Sequence, residues 1–207
     1  MSGETNKVFV DVGISLDGYM AGPNQDKENP MGVGALAIHR WAFETPEEAA
    51  TPLGKVAATG RIGAVVMGRN MFGPVRGPWE SWREEWRGWW GEDPPYHVPV
   101  FVLTHYAREP LVMDGGTTFM FVTDGLDAAL ALAREAAGEL DVEVAGGASV
   151  VNAALRAGVV DELRTHIAPL TLGEGERLFD GVPPLLLEPV ASRTTPLVTH
   201  VHHRVVR

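Results

Sequence analysis

The chain has 207 residues, with 17 Lys and Arg against 27 Asp and Glu, a formal net charge of −10 at pH 7 and no cysteine. That length buries a sizeable core without disulfide or metal staples, and it suits one domain over residues 1–207. The acidic balance disfavours nucleic acid and anionic membranes, and the missing thiols exclude disulfides, thiolate zinc sites, iron–sulfur clusters and cysteine nucleophiles. The expected partner is a small molecule.

The opening residues carry no basic n-region or small-residue cleavage site, and the apolar runs stop short of the ~18–20 residues a membrane span requires, so a cytoplasmic location is expected. Val8–Ile14 predicts a strand. Ser15–Glu28 is a polar loop containing Gly18, Gly22 and Pro23. Within it, Asp17-Gly18 is turn chemistry; a loop leaving a strand end can also act as a lid, with Asp17 orienting an amide or a water. Gly32-Val33-Gly34 mimics a dinucleotide fingerprint, but it follows a polar stretch instead of a strand and is rejected.

Gly34–Phe43 and Pro46–Thr59 read as helices. The second has Thr45 at the N-cap, Pro46 at N1 and Glu47 and Glu48 in its first turn, with Pro52 and Gly54 as possible breaks. Ile62–Met67 predicts a buried strand closing on Gly68, and Arg69 follows with a fork suited to a phosphate or to a surface carboxylate. Trp79, Trp82, Trp86, Trp89 and Trp90 recur at helical spacing, with Glu80, Glu84, Glu85 and Arg87 between them. This pattern predicts a helix with an aromatic face packed on the body or on a second subunit, or alternatively a ligand-stacking lid.

Pro99–Leu103 and Thr118–Val122 predict strands, and the first exits through Thr104-His105. Gly125–Ala137 has helical spacing of Leu126, Ala129, Leu130, Ala133 and Ala137. Val142–Ala145 runs into Gly146-Gly147 and then the helix Ala148–Ala157. Glycines permit close backbone approach, and the first-turn amides at Ala148, Ser149 and Val150 attract a phosphate, although a tight turn with nothing bound has the same signature. Asp161–Ala168, Leu185–Ala191 and Val198–Val206 complete the strands, the last two as a hairpin near Thr195-Pro196. His200 and His202 share a strand face without an evident third ligand, so no metal site is assigned.

Strand–helix alternation predicts an α/β fold: a central, mostly parallel mixed sheet with helices on both faces and an antiparallel C-terminal hairpin. Ligands of such sheets lie beyond the carboxyl ends of the strands. There the ordered set Ser15-Leu16-Asp17-Gly18, Met67-Gly68-Arg69, Leu103-Thr104-His105 and Ala145–Ser149 resembles the dihydrofolate reductase-like superfamily. It is most similar to the C-terminal reductase domain of the riboflavin-biosynthesis deaminase-reductase. Asp161-Glu162-Leu163, the run Ala168–Gly181 and Val198-Thr199-His200 extend the resemblance over nearly the whole chain.

The resemblance implies a three-layer fold that binds NADPH and reduces a C=N or C=O bond of a small heterocyclic, pterin- or pyrimidine-like substrate, often as a homodimer. It implies Arg69, Thr104 and His105 around the adenosine 2′-phosphate, Gly68 close by, Gly146–Val150 on the pyrophosphate, and Ser15 and Gly18 beside the nicotinamide. The substrate side would be bounded by Asp17, Trp41, Phe72, Leu172 and Gly173, with Asp17 or an ordered water as candidate proton donor and His166 as another if its strand face turns inward. The loop lacks a Pro-Trp, and Gly34–Phe43 lacks an acid, departures that argue against dihydrofolate. A chain of this length without cysteine holds no zinc deaminase half. The alternative function is a dimeric nucleotide-binding protein without turnover.

Overall fold

The computed structural model describes residues 6–51, 53–54, 60–82 and 84–207. Its strands are β1 (Val8–Ser15), β2 (Tyr19–Ala21), β3 (Ile62–Gly68), β4 (Pro99–Leu103), β5 (Leu111–Val112), β6 (Thr118–Val122), β7 (Asp141–Gly146), β8 (Glu162–Ala168), β9 (Glu176–Arg177), β10 (Leu186–Thr194) and β11 (Thr199–Val206). The α-helices are α1 (Arg40–Glu44), α2 (Pro46–Ala49), α3 (Arg69–Phe72), α4 (Gly125–Ala137) and α5 (Ala148–Arg156). Nine strands form one sheet in the order β10-β11-β8-β1-β7-β3-β4-β6-β5, and β2 pairs with β9 in a separate ribbon.

β1, β3, β4, β6, β7 and β8 run parallel, whereas β11 is antiparallel to β8 and β5 is antiparallel to β6. The central strands β1 and β3 are apolar runs buried on both faces, as parallel strands under flanking layers must be. Along β1, Val8, Val10, Val12 and Ile14 join the core beneath α4 and α5. On the opposite face Val65, Met67, Val100 and Val102 pack with Phe72 and Phe119. α4 begins after Asp124 and stops at Gly138, whose φ of 59° ends the helix in the left-handed region.

Two helical expectations change. The segment Gly34–Phe43 is a 3-10 helix, Ala35–His39, leading into α1. α2 is a single turn followed by turns at Thr51–Gly54, and the rest of the expected helix, residues 55–59 with Pro52, lies outside the described residues.

The tryptophan segment is not a helix. Among the described residues of the segment, only Trp79–Ser81 forms a 3-10 turn, and Gly88 and Gly91 take φ values of 101° and 71°. The indoles act singly: Trp79 Nε1 donates to the carbonyl of Tyr106, and Trp86 Nε1 donates to that of Phe72. Packing on the body persists, since Trp79, Trp86 and Trp90 lie against the Phe72–Phe119 cluster. Among the described residues no helix is long and apolar enough to cross a membrane.

Candidate functional site

The parallel neighbours β1, β7 and β3 end at Ser15, Gly146 and Gly68, which brings the first three glycine-bearing motifs to one sheet edge. Gly68 allows β3 to close on α5: a Cβ there would stand 2.9 Å from Val150 Cγ2 and 3.5 Å from Gly147 N. Gly146 has φ 138°, a conformation open to glycine alone, and a Cβ on it would press on Met71 Sδ at 3.2 Å. Gly147 faces open space and is the N-cap of α5, with no side chain bonded across the helix start. Ala148 and Val150 are buried and Ser149 is exposed, so the first turn offers backbone donors to whatever approaches. Alongside lies a cavity of about 360 Å³ between Tyr19, Ser149, Asn152 and Arg177.

Beyond Gly68 the chain gathers positive charge. The Arg69 guanidinium lies 3.7 Å from the Trp79 ring centroid and 5.3 Å from that of Tyr106, and Arg108 stacks 5.1 Å from Trp79. Nε and Nη2 of Arg69 are buried and have no hydrogen-bond partner among the described residues. Burial first, and then repulsion from Arg76 and Arg108, pull the Arg69 pKa below its usual value, while Tyr106 opposes the shift. Arg76 bonds neutral acceptors, the carbonyls of Gly73 and Val75 and Gln25 Oε1. Arg108 pairs with Glu85 at 3.3 Å, while the unpaired donors of Arg69 have the chemistry that suits an anion. Sequence reasoning found Arg69 and missed Arg76 and Arg108, which no spacing ties to it. Thr104 is buried, and its hydroxyl accepts the Tyr106 amide at 3.2 Å, so β4 reaches the cluster through Tyr106, whereas His105 is exposed at the strand exit.

At the other end, Ser15 is fully buried; its Oγ donates to Asp17 Oδ1 at 2.5 Å and accepts the Tyr19 amide at 2.9 Å. Asp17 also accepts the amides of Leu172 and Gly173. The Ser15 hydroxyl, followed by these amides, lowers the Asp17 pKa to about 2. A carboxylate so held clasps two loops together. Gly18, with φ 87°, turns the chain and accepts the Leu178 amide.

Two residues expected at the substrate side, Trp41 and Phe72, are buried. Trp41 is buried against the rings of His166 and His200, with centroids 4.9 and 4.8 Å away, and its Nε1 has no partner. Phe72 is buried among Trp79, Phe119 and Phe121.

Beneath Trp41 runs a polar chain that sequence reasoning did not assemble. His166 Nε2 bonds Asp11, and His166 Nδ1 meets His200 Nδ1 at 2.6 Å. His200 Nε2 faces Glu48 Oε1 at 3.3 Å, and Arg193 pairs with Glu48 at 2.7 Å. Burial first, then His166 and Arg193, lower the His200 pKa to about 4, so this ring is neutral at pH 7. A lone acid in the strand Val8–Ile14 was the available signal, since a buried aspartate demands a partner. Further along the same face His202 bonds Glu162 at 2.9 Å, which with Lys7 lowers the Glu162 pKa to about 2.

The family model described as the RibD C-terminal domain matches residues 6–201. Among curated proteins, YyaP of Bacillus subtilis is 24% identical over 179 residues, covering 84% of this chain and 80% of its own. Among solved structures, a protein from Shewanella sp. PV-4 assigned to riboflavin biosynthesis is 24% identical with a TM-score of 0.64, covering 97% of this chain and 99% of that one. Rib7, the riboflavin biosynthesis reductase of Saccharomyces cerevisiae, is 14% identical with a TM-score of 0.54, covering 98% of this chain and 90% of that one. These structures share the fold.

Proposed function

The chain belongs to the RibD C-terminal domain family, and from that premise we propose that it is an NADPH-dependent reductase acting on a C=N or C=O bond of a small heterocyclic, pterin- or pyrimidine-like substrate. The observation that carries the reading is half-buried Arg69 at the end of β3, whose Nε and Nη2 are buried without a partner among the described residues, beside Arg76 and Arg108. NADPH, when bound, supplies the hydride. Arg69, supported by Arg76 and Arg108, would hold its 2′-phosphate, with Thr104 fixing the turn that carries Tyr106. His105 is the outermost candidate contact. The amides from Gly146 to Val150 would face the pyrophosphate, and Gly68 leaves room for that approach. Ser15 and Gly18 would shape the nicotinamide end.

In this reading Asp17 is a positioning group. It ties the loop after β1 to Leu172 and Gly173, holding that edge closed and limiting water. The second reading is a non-catalytic dimeric nucleotide-binding protein, favoured by one observation: the Asp17 carboxylate just beyond β1 accepts the Ser15 hydroxyl and two amides, which hold it in the ionised form and make it a poor acid. The homodimer and the cytoplasmic setting belong to the proposal; exposed Leu186 and Val190 on the edge strand β10 support the former.

Calorimetric titration with NADPH and NADH tests the assignment. Losing charge-assisted bonds worth about 1.5–3 kcal/mol, Arg69→Ala should weaken NADPH roughly 10- to 100-fold and leave NADH unchanged. Equal loss for both cofactors, or none, would remove Arg69 from the phosphate. NADPH oxidation against pterins, pyrimidines and quinones separates reductase from binding protein.

A further inference from the structure

Arg69 and Arg76 are anchored by neutral groups. Arg69 lies against the rings of Trp79 and Tyr106, and Arg76 bonds two backbone carbonyls and the side-chain oxygen of Gln25. Among the described residues neither pairs with a carboxylate, although the chain holds 27 Asp and Glu and neighbouring Arg108 is offset by Glu85. Two like charges set side by side with no acid between them form an unfavourable arrangement that a bound anion relieves. Arg69 registers it, since burial and then the charge of Arg76 pull its pKa down.

Gln25 is held so that its oxygen faces Arg76. Its Nε2 donates to the carbonyls of Pro30 and Asn70, the second at 2.7 Å, which spends both amide protons. Oε1 is left to accept Arg76 Nη2 at 2.7 Å. The loop presenting Gln25 is fixed from within: Asp26 accepts the amides of Glu28 and Asn29 and the Asn29 side chain. At its neck the Gly22 amide donates to the Met31 carbonyl and the Val33 amide to the Pro23 carbonyl. The two limbs touch there, because a Cβ on Gly22 would lie 2.2 Å from the Val33 carbonyl oxygen. A glutamate at position 25 would hold the guanidinium more strongly but would neutralise it. The amide supplies the position without the charge.

We infer that Gln25 is a positioning residue that determines cofactor specificity: it orients Arg76 while leaving that charge available to a phosphate monoester held by Arg69, and so sets the preference for a 2′-phosphorylated over an unphosphorylated cofactor. The inference rests on the reductase reading above and extends it to a residue that acts through Arg76.

The test is calorimetric titration of the unmodified protein, Gln25→Glu and Gln25→Ala with 2′,5′-ADP, 5′-AMP and inorganic pyrophosphate. Both variants give up the bonds to Pro30 and Asn70, so the difference between them isolates the charge on Arg76. Gln25→Glu should weaken 2′,5′-ADP by about 10-fold, against about 3-fold for Gln25→Ala, with 5′-AMP changed by less than about 2-fold in either. Equal losses of 2′,5′-ADP in the two variants, or no loss in Gln25→Glu, overturn the inference. If the unmodified protein binds pyrophosphate but not 2′,5′-ADP, the reductase reading fails, and the same comparison of variants with pyrophosphate decides whether Gln25 keeps Arg76 available to anions. Binding of none of the three overturns both.

Discussion

Asp17 Oδ2 accepts the Gly173 amide at 2.8 Å while Oδ1 accepts that of Leu172 at 3.1 Å, so one half-buried carboxylate joins the loop after β1 to the loop after β8. Asp17→Asn presents an NH₂ group to one of these donors and loosens the joint. The expected result is a 3- to 10-fold fall in kcat/KM with faster proteolysis at residues 170–175. Because Asp17 titrates near pH 2, the pH dependence of the rate above pH 4 should be unchanged. Loss of a limb near neutrality in the variant would restore Asp17 as the acid.

His200 ties stability to pH. Its folded pKa, about 4, lies below its ordinary 6.5, so between those values the unfolded chain binds the extra proton. Stability contributed by the neutral ring is full above pH 6.5 and is lost as pH falls toward 4. A shift of this size corresponds to on the order of 3 kcal/mol. Glu162, lowered from 4.5 to about 2, loses its contribution in the more acidic window. Urea unfolding at pH 8, 5 and 4 should show the first slope, and His200→Gln should flatten it; an unchanged slope would show that the ring is not its source.

Gly73 lies where Trp86 needs room: a Cβ would fall 2.0 Å from Trp86 Nε1. Gly73→Ala should therefore expel the indole and break its 3.0 Å bond to the Phe72 carbonyl. Overpacking and a lost hydrogen bond together cost about 2–4 kcal/mol. Denaturant unfolding followed by circular dichroism measures it, and a loss below 0.5 kcal/mol, about the noise of a surface change, would mean the segment simply moves aside.

The sheet was legible because burial on both faces writes itself as a continuous apolar run, as in Ile62–Gly68, and because aromatic Thr118–Val122, only partly buried, still has strand composition. α4 spans the Gly125–Ala137 of its periodicity, bounded by two glycines. Tryptophan spacing misled for a physical reason. Aromatic mass at intervals of three and four fits a helix face, but Gly88 and Gly91 at positive φ turn the backbone, and indole N–H groups satisfy carbonyls outside the segment. β2, β5 and β9 are too short for any periodicity.

Of the candidate site, the glycine turns and Arg69 could be read locally. Arg76, Arg108 and the Asp11–His166–His200–Glu48 chain could not, because each depends on pairings set by the sheet order. The hairpin strand β11 brings His200 opposite His166, a relation invisible until the register is known.

Trp79 stacks 3.7 Å from the Arg69 guanidinium, which gives the anion locus an intrinsic optical reporter. Indole emission overlaps dihydronicotinamide absorption, so occupancy near Arg69 should quench fluorescence by energy transfer, and Trp79→Phe should remove a defined fraction of that signal from the background of the other tryptophans.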